Sequence, residues 1–227
     1  MISVRHLGKN WLAVAVVLMA ALMLSSPAAA QTVVNGDFET DTDLFVTWPG
    51  YTAGGANPAQ ITGWTGMGGV GINPVVPGGA GDAPFRDNGD NSTSVGFIQG
   101  AASIEQDISG FTIGQDYVLS LDFNARNCCG DMPIAMVELD GAVVASSEDI
   151  FPPTGAVPPV GGDEPWYHAD IDFTASDTTL TLLIRSAAAA AGDATFLVDN
   201  VSIVPEPATG LLAMGGLLSL LLLRRRT

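Results

Sequence analysis

Hydrophobic and polar residues alternate with a period of two along several short stretches of the chain, and the sharpest is residues 117–124. Tyr117, Leu119, Leu121 and Phe123 share one parity, and Val118, Ser120, Asp122 and Asn124 share the other. Successive side chains of an extended backbone point to opposite faces, so the pattern predicts a strand with one buried and one wetter face. Residues 134–139 and 142–146 flank Asp140-Gly141, a dipeptide suited to a tight hairpin turn. Alternation returns over residues 166–174, 178–185 and 195–204, while residues 93–98 and 103–108 read as two strands split at Gly100-Ala101. Residues 32–34 form a short opening strand before a turn, and residues 40–64 predict a strand, a loop and a second strand. Glycine, proline, Asp and Asn dominate residues 66–91, and proline and glycine dominate 151–165, which predicts two long surface loops. The alanines of 187–191 read as a connection. About ten short strands with no amphipathic helix predict an all-β fold, an antiparallel β-sandwich with jelly-roll-like connections.

Both ends break this pattern. Arg5 and Lys9 precede an apolar run over residues 11–24, and Ser25-Ser26-Pro27-Ala28-Ala29-Ala30 follows. A basic stretch, an apolar stretch and small residues in the A-x-A positions Ala28 and Ala30 predict a signal peptide over 1–30, with mature protein starting at Gln31. A retained membrane helix is the alternative, and Pro27 with the alanines favours cleavage. At the far end, Pro205 and Pro207 stop the last strand. Residues 208–223 carry no charge. As a helix at ~1.5 Å per residue they would reach roughly 24 Å, enough for a thin bilayer. Arg224, Arg225 and Arg226 resist translocation and are expected to stay cytoplasmic.

The tail over residues 204–227 resembles the PEP-CTERM sorting signal of bacterial envelope proteins. The resemblance rests on the triplet Pro205-Glu206-Pro207, the glycine-containing apolar segment and the terminal arginines, in that order. It implies recognition and cutting near the triplet by an exosortase, a membrane transpeptidase-like enzyme, with transient membrane anchoring before the cut. It also implies export across the inner membrane to the surface or matrix of a Gram-negative, exopolysaccharide-making bacterium. The expected plan is a signal peptide (1–30), a β-sandwich domain (31–203) and a sorting signal (204–227).

Setting the ends aside changes the charge. Five of the eight basic residues lie in them, leaving Arg86, Arg126 and Arg185 against every acidic residue except Glu206, a net charge of about −20. A lysine-free, anionic domain is unsuited to nucleic acid or anionic lipid, because phosphate binding needs Lys or Arg. Neutral glycans and divalent cations remain compatible, as does a surface charged for solubility alone.

The ends of the domain resemble carbohydrate-binding-module jelly rolls of the galactose-binding-like type. The residues concerned are Asn35-Gly36-Asp37-Phe38-Glu39 and Phe196-Leu197-Val198-Asp199-Asn200-Val201. The resemblance implies that the first and last strands lie together and that a structural calcium is held there. Glu39 and Asp199 match the usual carboxylate ligands, with Asn35 and Asp37 as weaker candidates. Alternation points the same way: Asp199 shares parity with Leu197, Val201 and Ile203 and so is expected to face the core. A buried carboxylate needs a partner or titrates to neutral, and with so few basic residues calcium is the favoured one. A bulge turning Asp199 outward, or hydrogen bonds from backbone amides, are the alternatives.

Sugar recognition uses aromatic faces framed by polar side chains. The aromatic candidates are Trp48, Trp64, Trp166 and Tyr167, with Arg126 and His168 as polar companions. Trp64 has the setting of a core residue, whereas Trp166-Tyr167-His168 sits at a loop–strand junction where exposure is expected. Cys128 and Cys129 are the only cysteines; adjacent, they suit a vicinal disulfide, or pairing between chains, rather than a long-range brace. Catalytic signals are thin. His168 is the domain's single histidine, no lysine exists for a P-loop or Schiff base, and no G-x-S-x-G occurs. Carboxylate pairs such as Asp163/Glu164 and Asp170/Asp172 are too common here to mark a glycosidase. The expected function is that of an exported, surface-sorted, non-enzymatic envelope or exopolysaccharide-matrix protein that binds glycan. A self-associating structural protein and a glycoside hydrolase are the alternatives.

Overall fold

A computed structural model of the protein describes residues 30–41, 61–74, 94–127, 130–162, 164–187 and 194–206. All but Glu206 belong to one compact unit, Ala30–Pro205; the second unit, Met1–Ala29 with Glu206–Thr227, otherwise lies outside the described residues. The expected signal peptide up to Ala29, Pro207, the apolar tail and Arg224–Arg226 therefore fall outside them, as do Trp48, Arg86, Cys128, Cys129 and Asp163. Among the described residues no helix is long and apolar enough to cross a membrane.

Among the described residues there are eight strands: β1 (Thr65–Pro74), β2 (Ser94–Ser109), β3 (Asp116–Ala125), β4 (Ile134–Leu139), β5 (Ala142–Ser146), β6 (Tyr167–Thr174), β7 (Thr179–Ala187) and β8 (Thr195–Pro205). Every pairing between them is antiparallel. The hairpin of β4 and β5 turns at Asp140 (φ 49°) and Gly141 (φ 77°), the left-handed pair that a two-residue turn demands. A single helical turn, α1 (Ser147–Ile150), follows β5, capped by the Ser146 side chain on the Glu148 amide. The sequence pattern does not reveal it.

β2 organises the sheets. Its first half pairs with β8, from Gly96↔Val198 to Gln99↔Thr195, and its second half with β7, from Ala102↔Ser186 to Ser109↔Thr179. β1 runs beside both halves. The residues between the halves were expected to separate two strands; instead Gly100 (φ 67°) bends one continuous strand, and Gly68 (φ 79°) bends β1 beside it. Left-handed backbone costs glycine little, so the ladder turns a corner without ending. One layer is thus β1-β2-β8-β3-β6 and the other continues through β2 to β7-β4-β5. β1 also corrects the expectation of a loop from residue 66: its glycines mask an inward pair, Val70 and Ile72, both fully buried.

The core fills the space between the layers. Leu119, Leu121 and Phe123 of β3 face it as their parity predicts, with Leu180, Leu182 and Ile184 of β7 and Ala135, Val137 and Leu139 of β4. Tyr117 joins them, packed edge-on against Phe111. At the domain's opening, Phe38 is fully buried against Gly96, where a Cβ would stand 2.7 Å from its ring. Trp64 stacks on Phe38 at 5.7 Å and donates its indole N–H to the Asn35 carbonyl, confirming it as a core residue. The first and last segments lie side by side: Gln31 bridges Ile203, and the Val201 amide donates to the Gly36 carbonyl at 2.8 Å.

β8 departs from simple alternation. Ser120 faces Ser202 and Asp122 faces Asp199, so Asn200 and Val201 together oppose Leu121 in a β-bulge, with Asn200 at φ 52°. Phe196 and Val198 face the main core before the bulge, and Val201 and Ile203 face it afterwards. Leu197 instead joins Val95 and Phe97 in a small cluster of its own. Asp199 therefore lies on Leu197's side and away from the main core, correcting its expected direction, yet it is buried.

Candidate functional site

The side of β6, β3 and β8 that faces away from the main core is built by strand register. Cross-strand partners share a face, and Asp122 pairs with His168 on β6 and with Asp199 on β8, while Ser120 pairs with Asp170 and Ser202. The even-numbered residues of β3 and β6, hydrophilic for the most part, thus form one surface patch, apart from the buried Asn124.

A network of hydrogen bonds ties the patch together. His168 Nδ1 stands 2.6 Å from Asp122 Oδ1 and Nε2 stands 3.2 Å from Asp170 Oδ1. Asn200 donates its amide to the other oxygen of Asp122 at 2.9 Å, and the Ser120 hydroxyl donates to Asp170 at 2.5 Å. The side chains of His168 and Asp170 are 55% and 60% exposed, so the network is open to a ligand. The contact with Asp122, reinforced by Asp170, raises the pKa of His168 above its ordinary value, against a smaller pull from burial. The Ser120 hydroxyl, and then His168, hold Asp170 below the usual carboxylate value.

Of the expected sugar-contacting residues, the structure brings two to this face. Trp166 immediately precedes β6, half-buried against Val95, Phe97 and Leu197, and His168 follows two positions on. Tyr167 points the other way, its ring 4.9 Å from Phe151 and 5.5 Å from Phe123, and burial raises its pKa. It is a packing residue, because adjacent strand positions face opposite sides. Arg126 is also turned inward: its Nε lies 2.8 Å from Asp131 and only 9% of its side chain is exposed.

The expected calcium ligands carry hydrogen bonds within the domain. Asn35 (φ 51°) donates its amide to the Thr62 carbonyl and accepts from the Thr40 amide. Asp37 accepts from the Glu39 amide, Glu39 from the Ser94 amide at 2.7 Å, and Asp199 from the Asn200 amide at 2.7 Å. Among the described residues no three His, Cys, Asp or Glu side chains come together in a group that could hold a metal ion. Backbone amides, one of the alternatives to calcium, donate to Asp37, Glu39 and Asp199.

The sequence does not mark Asp122, Ser120 and Asn200 as site residues, and it offers Asp170 only as half of an uninformative carboxylate pair. Their signal was the polar parity of β3 and β6, but only the register shows that His168 meets Asp122 across 46 positions of chain.

The site and fold define an all-β, jelly-roll-like antiparallel sandwich with a polar patch on one outer face. No protein-family model matches the chain, and no curated protein matches it. Among solved structures it is similar to the CBM22-1 xylan-binding domain from Paenibacillus barcinonensis Xyn10C, at 13% identity and a TM-score of 0.44, over 81% of this chain and 96% of that one. It is similar to TmCBM61, solved with β-1,4-galactotriose, at 13% identity and a TM-score of 0.44, over 80% and 100%. The sugar-binding C-terminal domain of EclA matches at 14% identity and a TM-score of 0.36, over 59% and 76%. Likeness at this level adds nothing to the fold already described, and the ligands in those names belong to those proteins.

Proposed function

We propose that the chain is a non-enzymatic, surface-sorted envelope or matrix protein that grips neutral polysaccharide with the outer face of β6, β3 and β8. The observation that carries this reading is the exposed network of Ser120, Asp122, His168, Asp170 and Asn200 in line with Trp166. Carboxylates accept hydrogen bonds from vicinal hydroxyls, the ring and amide nitrogens orient them, and an indole edge or face suits the C–H groups of a sugar ring. Asp116, Asp122, Asp170 and Asp172 share the face, so a uronate or sulfated chain is repelled. Asp170, held below the usual carboxylate value, does not suit the part of a glycosidase's general acid, which needs a raised pKa. Export through the N-terminal leader and surface attachment through the exosortase-type tail belong to the same reading.

Affinity electrophoresis tests it with the full-length protein in mild detergent and gels containing xylan, β-1,4-galactan or alginate. Retardation is expected in at least one neutral gel and none in alginate. Trp166→Ala and Asp122→Ala are each expected to weaken retardation by about tenfold, the scale of a lost stacking contact or charged hydrogen bond. Identical mobility in all gels overturns the reading.

A further inference from the structure

His168 offers a ring nitrogen to each of two carboxylates, Asp122 at 2.6 Å and Asp170 at 3.2 Å. Neutral imidazole has one N–H and one lone pair, so it satisfies one ionised carboxylate and turns its lone pair on the other. Imidazolium donates to both. The acceptors are braced in turn, Asp122 by Asn200 and Asp170 by Ser120, so one cation ties together side chains from three strands.

The charged groups around the ring leave it this task. On its own strand stand Asp170 and Asp172, on β3 Asp116 and Asp122, and on β8 the buried Asp199 opposite Asp122. Arg126, just beyond the end of β3, is bound to Asp131. Lys9 is the chain's only lysine.

We propose that the protonated ring of His168 sets Asp122 and Asp170 for glycan hydroxyls, so that polysaccharide is captured in mild acid and released as the ring loses its proton. The inference rests on the glycan-binding reading of this face. On deprotonation the remaining N–H stays with Asp122, the shorter contact, and Nε2 presents its lone pair to Asp170. Asp170 then swings toward solvent on the Ser120 hydroxyl alone, and the face loses one positive charge. The carboxylates raise the ring's pKa above 6.5, so release falls on the alkaline side of that value.

The test measures retardation in xylan and galactan gels at about pH 5.5 and about pH 8.5, beside an NMR titration of the His168 ring in the unliganded full-length protein. The His168→Gln variant identifies its resonance against that of His6. Wild type is expected to bind roughly tenfold more weakly at the higher pH, the scale of one lost charge-assisted hydrogen bond. Asp170→Asn presents an amide that donates to neutral Nε2, and is expected to bind weakly but equally at both values. Equal wild-type retention at both values, or a ring titrating at or below 6.5, overturns the inference and leaves the glycan reading standing. No retention at either value overturns both.

Discussion

Asp131→Ala removes the carboxylate at the centre of a buried staple. Asp131 accepts from Arg126 Nε at 2.8 Å and Nη2 at 3.3 Å, and from the Thr195 backbone amide at 3.1 Å. The two side chains are 9% and 0% exposed, so neither water nor salt screens the pair. The staple joins the end of β3 to the start of β8 at the point where β8 enters the sheet. Deleting one partner of a buried ion pair costs about 3–5 kcal/mol, because a desolvated charge remains and a backbone amide loses its acceptor as well. For a domain of this size each kcal/mol moves Tm by about 2–4 °C, giving a fall of roughly 6–20 °C. Urea unfolding of variant and parent, with the m-value as a check on two-state behaviour, provides the measurement. The double variant Arg126→Met, Asp131→Leu is expected to lose less than Asp131→Ala alone, since it removes the stranded charge. A single-variant loss under about 1 kcal/mol would refute the reasoning, because a pair that can be broken so cheaply is not desolvated.

Other consequences are equally open to measurement. Gly36→Ala places a Cβ 2.2 Å from the Val201 carbonyl oxygen, so the opening turn must leave β8; about 1–3 kcal/mol of stability and hydrogen-exchange protection of the Val201 amide should be lost. His168 has a raised pKa, so its contribution to stability is full below 6.5 and fades as pH climbs through the folded value. Asp170 has a lowered one, so its contribution is full above 3.8 and fades as pH falls through the folded value. The stability gap between wild type and His168→Ala should therefore be widest between these limits, and a gap that grows toward alkaline pH would contradict the clamp. Deleting residues 205–227 should send the protein past the envelope into the medium, read by fractionation; unchanged surface display would defeat the sorting proposal.

Much of the fold was legible one strand at a time. The parity of Tyr117, Leu119, Leu121 and Phe123 names the buried face of β3, and Asp140-Gly141 marks the hairpin of β4 and β5, because both effects act between residues close in the chain. The anionic, lysine-free composition of the domain is likewise a property of the residues alone, and it narrows the ligands before any coordinates are known. Alternation failed where pairing overrode it. In β1 glycines hid a strand, at Gly100 a corner looked like an end, and at Asn200 one extra residue reversed the facing of Asp199 relative to Val201.

The candidate site belongs to that second kind. His168 and Trp166 could be suspected from their position at a loop–strand junction, but Tyr167 between them could not be told from a ligand contact until β6 acquired an inside. Asp122, Ser120 and Asn200 become partners of β6 only through the registers β3 makes on either side. Local sequence decides which residues alternate; the packing of distant strands decides which side is in, and a single bulge or register step is enough to choose the neighbours of every polar side chain on the face.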